Sequence, residues 1–356
     1  MTQNPPLSPS HLRIADDVRQ RVLSAAQLRA HGVSAAEAAA RCRTGGPWQQ
    51  PLPGVYVLHP GPVTDEERLR SALLYAGRRP ASGRRGVPAQ PGPDTEPGYG
   101  EAVVTGLAAL ALHGFAAASP PASPVRIDVL VPRTRRLRSV GYVHLVRAAE
   151  PPCPEQVQGL PVAPVERALA DAVAGLGDAS AVRHLLTEAV RGGHCEPAAV
   201  VRELSRAELL GRPQLMDAVD ALLAEGRALA ENRLYDTVRS HGLPEPLWNV
   251  DLRLPGGPHL GGVDAYWPEE AVAVVLDTRA PRHSRLDDDR RRAEHDAQWS
   301  AYAAKREHLE RLGVTVVHLS PKKLRDAGEQ QAIVVRTALM EAADREPAAY
   351  VMILPR

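Results

Sequence analysis

The sequence predicts a protein of several domains in the α+β / α/β class: an N-terminal winged helix-turn-helix, a mixed middle domain and a C-terminal α/β core. Its 356 residues suffice for two or three domains of about 150 residues each. The hydrophobic share of 44% is typical of a globular chain. Along the chain, helices with a hairpin are followed by mixed helices and strands, then by helices alone, and then by strands with helices; these changes mark the domain boundaries. The predicted domains are 1–62 (winged helix-turn-helix), 63–175 (α/β), 176–225 (helical connector) and 226–356 (α/β core).

The first sixty residues predict three helices and a hairpin. Apolar residues recur with a nearly helical period in 11–22. Two capping boxes, each a Ser three residues before Gln or Glu, begin helices at Ser24 and Ser34. Gly32 suits the turn between these helices, and the second helix extends to Arg43. Residues 48–58 then predict two strands around a Pro-Gly turn.

Two short helices joined by a tight turn form a helix-turn-helix, and a hairpin directly after it is a wing. Six arginines and three acidic residues in 1–60 favour binding to DNA. Because the whole chain has a net charge of only +1, any such surface is local. The alternative is a helical subdomain with a hairpin and no ligand. With the helix 34–43 in the major groove of double-stranded DNA, the candidate contacts are Gln27, Arg29, Ser34, Arg41, Arg43, Gln49 and Gln50.

The middle of the chain predicts helices and strands around a loop. Residues 64–77 form a helix capped by Thr64, and 78–100 are too rich in Pro and Gly to fold. A buried helix over 102–115 and strands at 125–131 and 142–146 follow. Four arginines in 133–138 are either a contact to DNA phosphates or a solvated hairpin tip. Residues 164–241 are helical throughout.

The C-terminal region predicts a helix, three strands, a helix and a strand. The predicted elements are a helix at 222–241, strands at 247–254, 262–267 and 271–277, a helix at 285–312 and a strand at 314–319. A helix begins at Ser320-Pro321, an amphipathic helix covers 330–343, and an apolar run at 349–354 closes the chain.

Several classes of protein are excluded. The three cysteines are far apart and have no zinc-site spacing. The N-terminus lacks the basic and apolar regions of a signal peptide, and no run of about 18 apolar residues could span a membrane. We therefore expect a cytoplasmic protein with no membrane partner.

Four segments in the first half of the chain resemble the winged-helix antitoxins of the AbiE abortive-infection system, a type IV toxin–antitoxin family. They are residues 24–34, 53–57, 105–114 and 159–171, and 78–100 looks like an insertion between family elements. The resemblance implies a bacterial transcriptional regulator that binds operator DNA and accompanies a cognate toxin. Because winged-helix proteins often dimerise to bind two half-sites, a homodimer is the other expected partner.

The C-terminal region is similar to the very-short-patch-repair-like endonucleases of the PD-(D/E)xK fold, a restriction-endonuclease-like α/β core. The similarity lies in residues 231–234, 242–246, 263–268 and 309–313. It implies a site in which carboxylates on adjacent strands hold Mg²⁺, which activates water for phosphodiester cleavage. In that site Asp264 and Asp277 are the metal ligands, Arg279 is the basic residue and Glu231 assists from the leading helix.

The same strand departs from the family pattern. The relatives carry Glu-x-Asp-Gly, whereas this chain has Val275 in place of the Glu and Thr278 in place of the Gly. Arg279 stays charged and cannot act as a base. The sequence therefore predicts a nuclease-like domain without activity in a DNA-binding regulator. The alternatives are a Mg²⁺-dependent DNA endonuclease of repair or defence, targeted by the winged helix, and a protein-interaction adaptor.

Overall fold

The computed structural model describes residues 18–78, 98–118, 126–277, 307–343, 345 and 350–356. Over these residues the protein is a mixed α+β chain with three β-sheets. It divides into two compact units, Met1–Leu185 and Leu186–Arg356. None of the described helices combines the length and the apolar composition needed to cross a membrane.

The first unit begins with short helices on a three-stranded antiparallel sheet. The elements are α1 (Val18–Arg21), β1 (Val22–Ser24), α2 (Ala25–Ala30), α3 (Ala35–Arg41), β2 (Gln49–Leu52) and β3 (Val55–Val57), and the strand order is β1-β3-β2. Both predicted N-caps are confirmed, because the Ser24 and Ser34 hydroxyls accept hydrogen bonds from the backbone amides of Gln27 and Glu37. The full capping box forms at Ser24, whereas at Ser34 the Glu37 side chain pairs with Arg41 instead. The predicted continuation of the first helix to residue 22 is wrong: residues 22–24 form β1.

The core of this region lies between the helices and the sheet. Leu28 on α2, Val33 in the turn and Ala38 on α3 pack against buried side chains at Trp48 and Tyr56. Gly32 in the turn between α2 and α3 has a φ of 79°, the left-handed conformation that glycine adopts most easily. Packing therefore leaves the opposite side of α3 facing solvent.

A second sheet completes the first unit. Its elements are α4 (Asp65–Gly77), β4 (Val103–Thr105), α5 (Gly106–Leu112), β5 (Ile127–Pro132), β6 (Val143–Ala148), β7 (Glu155–Val157), β8 (Leu160–Val162) and α6 (Val165–Gly175). The strand order is β6-β5-β4-β8-β7, with parallel pairs β5–β6 and β4–β8. Helix α4 contacts strands of both sheets. The helix predicted over 102–115 is wrong at its start, where β4 lies, and the β7–β8 hairpin is not predicted at all. Most of the predicted loop 78–100 lies outside the described residues.

The second unit packs helices on a five-stranded sheet. Its elements are α7 (Ala179–Arg191, which crosses the boundary between the units), α8 (Pro197–Arg206), α9 (Pro213–Ser240), β9 (Leu247–Arg253), β10 (His259–Trp267), β11 (Val272–Leu276), β12 (Thr315–Leu319), α10 (Pro321–Asp326), α11 (Gly328–Ala342) and β13 (Met352–Pro355). The order of the strands is β12-β11-β10-β9-β13. Strands β9 to β11 form an antiparallel meander, β12 is parallel to β11, and β13 pairs with β9.

The predicted order of helix, three strands and a later strand is confirmed for the described residues of this unit. Of the predicted helix 285–312 only the end is described, and residues 307–311 are helical. Ala230, Leu234 and Val238 on α9 pack against Trp267 and Val274 of the sheet. This packing holds α9 against β10, the strand that carries Asp264.

Candidate nucleic-acid interface and carboxylate cluster

The solvent-facing side of α3 is made of alanine methyl groups. Ala35, Ala36, Ala39 and Ala40 are exposed, whereas Ala38 is only 2% exposed. The two charged residues of the helix pair with each other, since Arg41 Nη2 lies 2.6 Å from Glu37 Oε1. We call the exposed alanines the α3 face. This face is flat and carries no side-chain hydrogen-bonding group of its own.

Three of the predicted DNA contacts hold the local structure together. The Gln27 side chain accepts a hydrogen bond from the Ser24 backbone amide at 2.8 Å, which completes the capping box. The Ser34 hydroxyl caps α3. The Gln49 side-chain amide donates to the backbone carbonyls of His59 and Gly61, at 2.9 Å and 2.5 Å. These side chains are thus committed to the helix caps and to the segment that follows β3.

The other four predicted contacts lie nearer to solvent. Arg29 and Arg43 are exposed, and so is Gln50 on β2. Arg41 is partly used, because its guanidinium stacks 4.5 Å from the centre of the Trp48 ring while it pairs with Glu37. An open depression lies between the end of α3 and the hairpin, and it is lined by Cys42, Arg43, Thr44, Gly45, Gly46, Trp48, Gln49, Gln50, Pro51 and Pro60.

In the second unit, Glu231 and Asp264 meet at one arginine. Arg227 on α9 donates from Nη2 to Asp264 Oδ1 at 2.6 Å, and its Nε lies 2.8 Å from Glu231 Oε1. The Asp264 side chain is 6% exposed, and its Oδ2 accepts a hydrogen bond from the Leu276 amide at 2.7 Å. Sequence reasoning missed Arg227, although its spacing of four residues from Glu231 on one helix is a signal for an ion pair.

The remaining residues of the predicted nuclease site are less closely gathered. The paired residues of β10 and β11 run from Ala265–Val274 to Trp267–Val272, and Asp264 lies just beyond them. Val275, at the position where the predicted nuclease site called for Glu, packs against a different apolar cluster from the one that faces α9. Asp277 follows β11 and donates its backbone N–H to Leu319 O at 2.9 Å. Arg279 lies outside the described residues.

The donors around Asp264 do not fit a divalent metal ion. Both carboxylate oxygens accept hydrogen bonds from N–H groups, and the neighbouring positive charge is a guanidinium. Among the described residues, no three His, Cys, Asp or Glu side chains are grouped to hold a metal. An open depression beside the cluster is lined by Arg227, Glu231, Asn249 and Arg356. The Asp264 carboxylate is thus held by an ion pair and a backbone hydrogen bond, and it is not presented to a metal ion.

No protein-family model matches the chain, and none of the curated proteins matches it in sequence.

Proposed function

We propose that residues 18–57 are a winged helix that binds double-stranded DNA, and that the protein is a transcriptional regulator of the antitoxin type. The supporting observation is the element order helix, strand, helix, helix, strand, strand with the sheet order β1-β3-β2. In this arrangement α3 is the recognition helix and the β2–β3 hairpin is the wing. A recognition helix of this kind lies in the major groove.

The α3 face determines how such a helix would bind. Its methyl groups allow a close approach to the base edges and can contact the C5-methyl groups of thymines, but they cannot hydrogen-bond to bases. Arg29, Arg43 and Gln50 would contact the phosphate backbone around it. We therefore expect binding that depends strongly on salt, with modest discrimination between sequences.

We infer that the second unit is a nuclease-like fold that does not cut DNA. Helix α9, the β9–β10–β11 meander and the parallel strand β12 are consistent with a restriction-endonuclease-like core. Its carboxylates at Asp264 and Glu231 both pair with Arg227. The unit would then serve as a structural or partner-binding domain, and a cognate toxin or a second copy of the chain are its expected partners.

The test of DNA binding is a titration of labelled duplexes from the protein's own upstream region and of random sequence. Arg43→Ala with Gln50→Ala removes exposed groups, whereas Arg41→Ala would also disturb the contacts with Trp48 and Glu37. We expect weaker binding to every duplex and a salt slope smaller by about one, since each phosphate contact contributes about 0.9. Wild-type affinity and slope in this double variant would contradict the assignment of the wing.

The endonuclease alternative has its own test. The full chain is incubated with Mg²⁺ or Mn²⁺ and with supercoiled, linear and single-stranded DNA. We expect no cleavage. Metal-dependent cleavage that disappears in Asp264→Asn would overturn the inference that the second unit is inactive.

A further inference from the structure

Residues 133–138, between β5 and β6, form a loop that carries four arginines; we call it the arginine loop. Side chains from two other elements, β6 and α4, hold its backbone. Arg147 Nη2 donates to Leu137 O at 2.6 Å, and the Tyr75 hydroxyl donates to Arg138 O at 2.7 Å. Arg135 itself turns inward and donates to the carbonyl of Ala76 at 2.8 Å. Hydrogen bonds thus hold the backbone of the loop at Leu137 and Arg138. The predicted hairpin tip is wrong, because β5 and β6 run parallel.

The other three arginines of the loop point outward. Arg133, Arg136 and Arg138 are exposed and form no ion pair with any residue in the described part of the chain. The stretch 129–149 contains five arginines and no Asp or Glu. Asp128 and Glu150 flank this stretch, and Asp128 pairs with Arg126 and His144, so the loop itself keeps a local excess of positive charge.

The arginine loop lies beside the wing. Arg135 donates to the carbonyl of Arg78 at the end of α4, and Arg78 Nη1 donates to Pro53 O at 2.9 Å in the turn of the β2–β3 hairpin. Just after the loop, a Cβ at Gly141 would lie 3.7 Å from Leu52 Cδ2 of β2. The end of α4, at Arg78, and the segment after the loop, at Gly141, thus connect the arginine loop to the β2–β3 hairpin.

We propose that the arginine loop is a second DNA-binding element, which contacts the phosphate backbone of the duplex that the winged helix holds. This proposal rests on the proposed function of the winged helix. Guanidinium groups suit phosphates because their planar fork of donors can bind two oxygens at once. A loop already fixed by hydrogen bonds loses little conformational entropy on binding. The element adds affinity without base specificity, since phosphate contacts are independent of sequence.

The experiment is a salt titration of the full-length protein on a random-sequence duplex, with Arg133→Ala, Arg136→Ala and Arg138→Ala combined. We expect the slope of log K against log salt to fall by about 2 to 3, at about 0.9 for each lost phosphate contact. The same three positions changed to Lys keep the charge and should retain most of the slope. The matched control removes three exposed arginines elsewhere, with Arg183→Ala, Arg253→Ala and Arg311→Ala, and should keep the wild-type slope.

The outcomes separate the two proposals. If the wild type binds DNA and the triple-alanine loop variant has the wild-type slope, the loop proposal is overturned and the winged helix stands. If the wild type binds no duplex, both proposals fall. A loss confined to the loop variant, with the Arg43→Ala and Gln50→Ala variant unaffected, would contradict the wing and with it the proposal that the loop contacts a duplex held by the winged helix. Unchanged thermal unfolding of the variant excludes misfolding as the cause.

Discussion

Glu67 is a fully buried carboxylate that ties the N-terminal region to α4. Its Oε1 lies 3.0 Å from His59 Nε2 and 3.6 Å from Arg21 Nε, and its Oε2 accepts a hydrogen bond from the Thr64 amide at 2.8 Å. Burial alone would raise the pKa of Glu67, but the hydrogen bonds from Thr64 and His59 outweigh burial and lower it below its ordinary value. The charged form is therefore the one that the fold stabilises.

We expect Glu67→Gln to lower the free energy of unfolding by about 1–3 kcal/mol, because the amide is uncharged and keeps only one of the two acceptor oxygens that serve Thr64 and His59. A lowered pKa in the folded state means that the stabilisation is present above the ordinary value of 4.5 and is lost as the pH falls through the folded pKa. Urea unfolding of both proteins from neutral pH to below 4.5 measures this. The difference in unfolding free energy between the wild type and Glu67→Gln should shrink as the pH falls. The control Glu101→Gln, at an exposed position, should show neither a loss of stability nor this pH dependence.

Arg227 is the residue on which the carboxylate cluster depends. We expect Arg227→Met to destabilise the protein by about 2–4 kcal/mol, below the upper end for a broken buried pair because Arg227 is 39% exposed. The double variant Arg227→Met with Asp264→Asn should recover part of this loss, since it leaves no unpaired buried charge. Denaturant unfolding of the full cycle gives the coupling energy. A cost of Arg227→Met near zero would show that Asp264 does not need the guanidinium.

At the scale of elements, the α3 face allows a test that does not depend on arginines. Ala36→Glu with Ala40→Glu places carboxylates where the DNA phosphates would approach, whereas Lys at the same positions adds favourable charge. Both variants should fold, because the positions are exposed and Glu and Lys are good helix formers. We expect the Glu variant to bind DNA at least about tenfold more weakly and the Lys variant more tightly. Equal binding of the two in a duplex titration would mean that α3 faces away from DNA.

Two short strands show where local patterns mislead. Val22 is the last residue of a helical repeat, but residues 22–24 form β1 because they pair with Val55–Val57, more than thirty residues later. The start of the helix predicted over 102–115 is a strand for the same reason: β4 pairs with β5 and β8, and α5 begins at Gly106. Gly106 has a φ of 64°, and a Cβ there would lie 2.8 Å from Asp128 Oδ2. A three-residue strand has too few positions for a periodicity of its own, so only its partners identify it.

At the scale of the whole molecule, each compact unit has its own buried cluster of ionic groups. The partners of Glu67 belong to residues 1–185, and those of Asp264 belong to residues 186–356. Changes at positions without shared partners add in free energy to within about 0.5 kcal/mol. We expect the combined variant Glu67→Gln with Arg227→Met to show the sum of the two single effects in denaturant unfolding. A coupling well above that limit would indicate that the two clusters act on each other.

The sequence by itself determined the helices α4 and α9, the two Ser caps, the β2–β3 hairpin and the order of β9 to β12 along the chain, but not β13. These features depend on residues a few positions apart, so a periodicity or a spacing is enough to predict them. Only the tertiary structure decided the neighbours of each side chain. It directed the Gln49 side-chain amide to the carbonyls of His59 and Gly61, and it brought Arg227 between Glu231 and Asp264. It also set the arginine loop beside the wing turn, eighty residues away in sequence, because packing rather than chain order brings such distant segments together.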